Sequence, residues 1–134
     1  MEPTVKTIVD HSIEYAHELL QETKQCYPFG AFVDRKGQVH PLEFDLEGAK
    51  STPDNETVRT SLKKYCLEEF ELGRIIAWGL TYEASVQLKE EEDAIETIAI
   101  EIYSIENDNL PIYYYPYEFK EETVVFGDPF AVVR

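Results

Sequence analysis

The chain lacks the sequence features by which most enzymes are recognised. Its 134 residues contain no Gly-rich phosphate loop, because the six glycines are scattered singly, and no His-Glu-x-x-His or Cys-x-x-Cys motif. Two cysteines and three histidines are too few and too dispersed for a structural zinc site. We therefore expect a protein that is not an enzyme and that needs no metal or cofactor.

Long hydrophobic runs are also absent. No stretch approaches the ~20 apolar residues that cross a bilayer, and residues 1–6 have neither the basic start nor the apolar segment of a secretory signal. These absences predict a cytoplasmic protein without membrane contacts. In that reducing compartment we expect Cys26 and Cys66 to be two buried thiols rather than a disulfide.

Basic residues are scarce. The chain has 12 Lys and Arg residues against 27 Asp and Glu residues, a net charge of −15, and residues 83–134 hold thirteen of the acids but only three bases. Such a surface repels nucleic acid and anionic lipid and attracts cationic molecules. A basic protein is therefore the expected partner, and neither nucleic acid nor a membrane is expected.

Hydrophobic residues, in contrast, are plentiful. A hydrophobic content of 43% with 13% aromatic residues is typical of one packed domain, which we place over residues 1–134. Apolar residues recur at helical spacing over residues 5–25, with Thr4 as the expected N-cap. A second helix is predicted from residues 52–55 to Gly73, and short strands at 29–33 and 38–44 flank a turn closed by Gly37. Residues 45–53 are a predicted loop.

After Gly73 the hydrophobic period changes from 3.6 to 2. The even positions from Ile76 to Leu88 are apolar, whereas the odd positions include Gly79, Thr81 and Glu83. This alternation predicts a long strand with one buried and one wet face. Further strands are predicted at 95–105, 110–119 and 123–126, with a final extended piece at 130–133. The predicted fold is α+β, in the order α-β-β-α-β-β-β-β, with an antiparallel sheet of five to six strands and both helices on one face.

Two arrangements of reactive side chains near the N-terminus admit a functional and a structural interpretation. His11, Glu14 and Glu18 share one helix face and could ligate a metal, but this composition is typical of a solvated surface. Cys26 could act as a nucleophile if His40 folded back onto it as a base. A cysteine that ends a helix and packs on the sheet is the simpler interpretation, and we favour the structural interpretation in both cases.

Glu83 and Glu101 lie on neighbouring predicted strands and could face each other as a pair of carboxylates. We favour an exposed acidic face instead. If the protein is nevertheless an enzyme or a small-ligand binder, its pocket is expected between the second helix and the sheet. That pocket would use Cys66, Trp78 and Tyr82 together with Glu83 or Glu101.

The string from residue 113 to residue 119 is the most unusual local feature. Alternation places four of its aromatic residues on one face of a strand, namely Tyr113, Tyr115, Tyr117 and Phe119, with Tyr114 on the other face beside Ile112. Tyrosine patches are favoured at protein–protein interfaces, whereas their acidic neighbours here disfavour stacking on nucleic-acid bases. We therefore predict an interaction protein, an adaptor or an immunity-like protein, that also self-associates, as a dimer for example, through this face.

Four segments together resemble an uncharacterised family of small bacterial cytoplasmic proteins: Pro28–Phe32 with Gly37, Ile98–Glu106, Tyr115–Tyr117 and Val125–Phe130. That family has no assigned activity, so the resemblance implies no site residues. The order of elements is also similar to the profilin-like and roadblock folds, a topological likeness that implies no function. Residues 28–31 resemble a strand of cytidine deaminases, but the zinc ligands of that family are absent from this sequence.

Overall fold

The computed structural model of the protein describes residues 2–44 and 53–134. Within these ranges the elements are α1 (Pro3–Thr23), β1 (Phe29–Asp34), β2 (Val39–Leu42), α2 (Asn55–Glu71), β3 (Ile75–Val86), β4 (Ile95–Ser104), β5 (Ile112–Lys120), β6 (Thr123–Phe126) and β7 (Phe130–Val132). The predicted α+β class and order are confirmed, and the final extended piece pairs with the sheet as β7. The loop predicted over residues 45–53 lies, except for its last residue, outside the described residues.

The seven strands that the structure describes form one antiparallel sheet. Their order is β2-β1-β3-β4-β5-β6, and β7 pairs with the first half of β5 while β6 pairs with the second half. Gly37 and Gly73 have φ values of 85° and 73°, which a residue with a side chain rarely adopts. The hairpin turn predicted at Gly37 and the helix end predicted at Gly73 are therefore confirmed.

Both helices begin with an acidic cap. Glu2 accepts a hydrogen bond from the backbone N–H of Thr4, at 3.2 Å, and Asp54 accepts one from Thr57, at 2.7 Å. The prediction of Thr4 as the N-cap is wrong, because Pro3 lacks an N–H and so fits the first turn of α1 without loss of a hydrogen bond. No helix in the described ranges is long and apolar enough to cross a membrane.

The two helices cover opposite faces of the sheet. Trp78 and Leu80 share a buried cluster with Leu62 of α2, whereas Ala77 shares one with Ile8 of α1. Successive residues of a strand point to opposite faces, so α1 and α2 must lie on either side of β3. The prediction that both helices pack on one face is wrong.

The reason lies in the middle odd positions of β3, Ala77, Gly79 and Thr81, which are small and buried rather than exposed to water. Ala77 and Thr81 are 0% and 1% exposed, and Gly79 is also buried. A Cβ atom on Gly79 would lie only 2.8 Å from Cγ2 of Ile8, so α1 rests directly on the backbone of the strand. In β3, large residues therefore alternate with small ones, and the small ones leave room for α1 on the second face. From the sequence alone, this pattern looks like an alternation of buried and solvent-exposed residues.

For two buried threonines, we expect removal of the hydroxyl group to change the free energy of unfolding in opposite directions. Within residues 2–44 and 53–134, Oγ1 of Thr81 has no hydrogen-bond partner, whereas Oγ1 of Thr97 donates to the carbonyl of Ala84 at 2.7 Å. A buried hydroxyl without a partner destabilises the fold, so Thr81→Val should raise the free energy of unfolding by about 1 kcal/mol, and Thr97→Val should lower it by a similar amount. Urea unfolding of the two variants measures both changes, and changes of the same sign would contradict this account.

Candidate functional site

The tyrosine string divides between the two faces as the alternation predicts. Tyr113, Tyr115 and Tyr117 pack against the cluster beneath α1, whereas Tyr114 joins the cluster on the α2 side. Phe119 is 40% exposed and lies under the ammonium group of a lysine at the end of α1. All three α1-side tyrosines are half-buried, and two of them, Tyr115 and Tyr117, line concave surfaces on this face of the sheet.

One of these surfaces, which we call the α1 groove, lies between α1 and the strands β5 and β6. Its volume is about 450 Å³, and it is lined by Val9, Asp10, Ile13, Glu14, His17, Glu18, Tyr115 and Phe126. Asp10, Glu14 and Glu18 follow one another at intervals of four residues, which places their carboxylates in a row along one side of α1. The groove therefore combines an apolar and aromatic floor with an acidic rim.

A second depression adjoins the α1 groove at Phe126. It measures about 520 Å³ and is lined by Ile95, Glu96, Pro116, Tyr117, Glu118, Lys120, Val125, Phe126 and Gly127. The ring centroids of Tyr117 and Phe126 lie 6.3 Å apart and the ring planes are inclined at 64°, a favourable edge-to-face contact. The aromatic floor thus continues past the end of the α1 groove into a second region that also contains carboxylates.

One side chain of α1 makes two hydrogen bonds to the β5–β6 hairpin beside the groove. Gln21 of α1 donates from Nε2 to the carbonyl of Glu122 at 2.8 Å, and its Oε1 accepts from the backbone N–H of Val124 at 3.0 Å. Because the amide group of one residue satisfies both a carbonyl and an N–H of the β5–β6 hairpin, it fixes this hairpin against α1. No sequence pattern pointed to Gln21, since the contact joins residues about a hundred positions apart.

Glu83 and Glu101 do not form the carboxylate pair that the sequence suggested. Glu83 lies opposite Ile98 and Glu101 lies opposite Leu80, which places the two carboxylates on different faces of the sheet. Glu83 accepts a hydrogen bond from the backbone N–H of Cys26 at 2.9 Å. Its role is structural, and the hypothesis of paired carboxylates is wrong because the register of β3 and β4 separates them.

The two cysteines are free, buried thiols, as predicted. Burial, assisted by the negative charge of Glu83, raises the pKa of Cys26 to about 12, and burial with the charge of Glu69 raises the pKa of Cys66 to about 12. A protonated thiol is a poor nucleophile. His40, moreover, contacts Asp34 at 2.7 Å rather than Cys26, so the nucleophile–base hypothesis is rejected.

The remaining pocket candidates divide into buried and accessible residues. Cys66 and Trp78 are fully buried behind α2 and can touch no ligand. The hydroxyl of Tyr82 donates to Glu101 at 2.8 Å, and the guanidinium of Arg59 lies 4.4 Å from the centre of the Tyr82 ring. Burial raises the pKa of Tyr82, and its hydrogen bond to the Glu101 carboxylate raises it further. Cys66, Trp78 and Tyr82 share one buried cluster, and Tyr82 alone links that cluster by a hydrogen bond to a candidate carboxylate, that of Glu101.

A small depression between α2 and the sheet adjoins this pair. It measures about 220 Å³ and is lined by Glu56, Arg59, Thr60, Lys63, Leu80 and Glu101. A pocket between the second helix and the sheet is expected from the sequence, but its α2 residues are not, because they follow the pattern of a solvated helix face. The signal that was available is the pairing of Arg59 and Lys63 one turn apart in a chain with few bases.

Among the residues that the structure describes, His11, Glu14 and Glu18 of α1 do not come together as a set of metal ligands. No group of three or more His, Cys, Asp or Glu side chains is placed to hold a metal ion within residues 2–44 and 53–134. These three side chains of α1 line a depression of about 400 Å³ together with Tyr15, Pro41 and Glu43. The interpretation of this helix face as a surface of α1 is the one that its surroundings support.

Comparisons with known proteins add no assignment to this geometry. No family model, no curated protein and no solved structure matches the chain. Two concave surfaces on opposite faces of the sheet combine charged groups with an apolar floor: the acidic α1 groove, and the depression between α2 and the sheet, which we call the α2 depression.

Proposed function

We propose that the protein is a non-enzymatic adaptor or immunity-like protein that binds a basic segment of another protein in the α1 groove. One observation carries the proposal. The row of Asp10, Glu14 and Glu18 runs beside an aromatic floor formed by Tyr115 and Phe126. A surface of this kind matches both the charge and the shape of lysine and arginine side chains.

The match is chemical. Lysine and arginine carry an apolar stem and a cationic head, so the stem can lie on the apolar floor while the head reaches a carboxylate. A cation placed over a tyrosine or phenylalanine ring is also attracted by the ring face. The α1 groove offers carboxylates and ring faces within one concave surface, which is why it suits a basic segment better than a neutral one.

The spacing of the rim favours an extended partner. Residues four apart on a helix rise by about 6 Å, and alternate residues of an extended chain are about 6.6 Å apart. Basic side chains at every second position of an extended segment would therefore meet Asp10, Glu14 and Glu18 in turn. This makes the expected partner a strand-like segment with alternating lysine or arginine.

Charge favours this partner over a second copy of the chain. Two copies with a net charge of −15 repel each other, most strongly where their acids are concentrated. A basic partner is attracted over a distance, and that attraction weakens as salt screens it. Self-association, which the tyrosine string suggests, is therefore the competing occupant of this surface.

The proposal is tested with a fluorescent peptide of alternating lysine and threonine. Replacement of all three rim acids by Asp10→Asn, Glu14→Gln and Glu18→Gln should weaken its binding about tenfold, because three exposed ion pairs of roughly 0.5 kcal/mol each contribute about 1.5 kcal/mol. Fluorescence anisotropy measures the dissociation constant, and added salt should also weaken binding of the unaltered protein.

The matched control removes the same amount of charge elsewhere. Glu90→Gln, Glu91→Gln and Glu92→Gln lie in the exposed turn between β3 and β4 and should change the affinity less than threefold or so at moderate salt. Equal weakening by both triple variants, or binding that does not depend on salt, would show that the peptide recognises net charge alone and would contradict the α1 groove.

Light scattering separates the basic partner from self-association. The protein alone should be a monomer, and Tyr115→Ala should reduce peptide affinity without a change in mass. A dimer that Tyr115→Ala converts to a monomer would show that a second copy occupies the groove, and the basic-partner proposal would then be wrong.

Small-ligand binding is a second candidate function, and a different observation favours it. The α2 depression brings charged groups of both signs beside the hydrogen-bonded pair of Tyr82 and Glu101. Because this surface lies on the opposite face of the sheet, it is independent of the α1 groove.

A further inference from the structure

The α2 depression concentrates charge of both signs in a small space. Arg59 and Lys63 enter it from α2, one turn apart, and Glu101 enters it from β4. Glu56, in the first turn of α2, adds a second carboxylate at the margin. Between them lies Leu80, which is 2% exposed and forms an apolar floor.

These charges do not neutralise one another. None of the ion pairs within residues 2–44 and 53–134 includes Glu56, Arg59, Lys63 or Glu101. The guanidinium of Arg59 rests on the ring of Tyr82, and its buried Nε donates to no acceptor in that part of the chain. A buried donor without a partner is uncommon in native proteins and calls for an explanation such as a bound group.

The mixture of signs decides what kind of molecule fits. A simple anion attracted by Arg59 and Lys63 would meet the carboxylate of Glu101, and a simple cation attracted by Glu101 would meet Arg59. A molecule that carries both charges satisfies both sides. A guanidinium also suits a carboxylate, because its N–H groups can bind both oxygens in parallel.

We propose that the α2 depression binds a small zwitterion, specifically a free α-amino acid. The carboxylate of the ligand lies at Arg59 and Lys63, its ammonium group lies at Glu101, and its side chain lies over Leu80. An apolar floor favours an apolar side chain, and a volume of about 220 Å³ admits a single amino acid rather than a peptide.

Tyr82 positions both halves of this site. Its hydroxyl donates to Oε1 of Glu101, which leaves the other carboxylate oxygen for the ligand, and its ring supports the guanidinium of Arg59. The two groups that recognise opposite ends of the ligand are therefore held by one buried side chain. Such a shared support keeps their separation constant, which is what a ligand of defined length requires.

Three related molecules test the proposal on the intact protein. L-leucine has both charged groups, isocaproate lacks the ammonium group, and isoamylamine lacks the carboxylate. In an NMR titration, L-leucine should shift the amide signals of residues 56–63 and 99–103 saturably and bind about tenfold or more tightly than either analogue. Absence of a saturable shift with L-leucine, or equal binding of an analogue, would overturn the proposal.

Two variants assign the ends of the ligand. Arg59→Gln should weaken L-leucine about tenfold while it leaves the weak binding of isoamylamine unchanged, and Glu101→Gln should weaken L-leucine while it leaves isocaproate unchanged. The amide oxygen of the new glutamine can still accept from Tyr82, so circular dichroism should show an unchanged fold. Lys64→Gln, on the exposed side of α2, is the matched control and should have no effect.

The test of amino-acid binding in the α2 depression can fail independently of the test of peptide binding in the α1 groove. Peptide binding should be the same in Arg59→Gln and in the unaltered protein, because Arg59 lies on the other face of the sheet. If Arg59→Gln and Glu101→Gln change the affinity for all three molecules equally, the effect is general and the assignment of the two ligand ends is wrong.

Discussion

Gly79→Ala is expected to lower the free energy of unfolding by about 3 kcal/mol, although it adds a single methyl group. The new Cβ atom would lie 2.8 Å from Cγ2 of Ile8 and 3.3 Å from the carbonyl oxygen of Glu101 on the neighbouring strand. The strand cannot move away, since it is hydrogen-bonded on both sides by β1 and β4. The helix α1 must therefore shift, and its contacts with the sheet loosen.

Urea unfolding followed by tryptophan fluorescence measures this loss, because Trp78 is the only tryptophan and is fully buried. Gly127→Ala is the matched control. A Cβ atom there would come no closer than 3.7 Å to its neighbours, so the change should be within about 0.5 kcal/mol. A loss of equal size in the two variants would contradict the close packing of α1 on β3.

A double-mutant cycle identifies the clash. Ile8→Ala alone should be destabilising because it leaves a cavity. Combined with Gly79→Ala, however, it should cost clearly less than the sum of the two single changes, with a coupling of about 1–3 kcal/mol. Strict additivity would show that the methyl group added at Gly79 does not meet Ile8.

Alkaline pH is expected to destabilise the protein strongly. Burial raises the pKa of Cys26 and of Cys66 from 9.0 to about 12. Above pH 9 the unfolded chain releases both protons while the folded protein retains them, so stability is complete below pH 9 and is lost as the pH rises towards 12. Each thiol contributes a slope of about 1.4 kcal/mol per pH unit, which gives a loss of about 5 kcal/mol by pH 11.

Urea unfolding at pH 8, 9, 10 and 11 measures the slope. Far-UV circular dichroism is the suitable signal, because it follows the backbone and not the ionisation of tyrosine rings. Cys66→Ala should start from a lower stability, because it leaves a cavity, but its slope above pH 9 should be reduced by that of one thiol. Burial and the nearby carboxylates of Glu83 and Glu96 raise the pKa of Tyr117 to about 12. This residue should therefore steepen the loss of stability above pH 10. A free energy of unfolding that stays level up to pH 11 would contradict the burial of these groups.

The sheet and the helices could be predicted because their signals are local. The spacing of neighbouring residues is enough to predict the strand β3, from the apolar even positions between 76 and 86. It also predicts the hairpin turn at Gly37, the helix end at Gly73 and the division of the tyrosine string between two faces. The candidate sites could be predicted less well. Tyr115 and Glu101 line the two depressions, but the side chains that complete them, such as Glu14 and Arg59, come from helices whose polar faces carry no special pattern.

Four properties follow from the sequence alone: the α+β class, the order of the elements, the buried thiols and the acidic surface. Spacing, composition and turn chemistry express these properties within a few neighbouring positions. The side of the sheet on which each helix packs, and the register that sends Glu83 and Glu101 to different faces, depend on contacts between residues far apart in the chain. Gly79 illustrates the difference. In the sequence it is a position without a side chain, and only the tertiary contact with Ile8 makes it the position where α1 packs against the sheet.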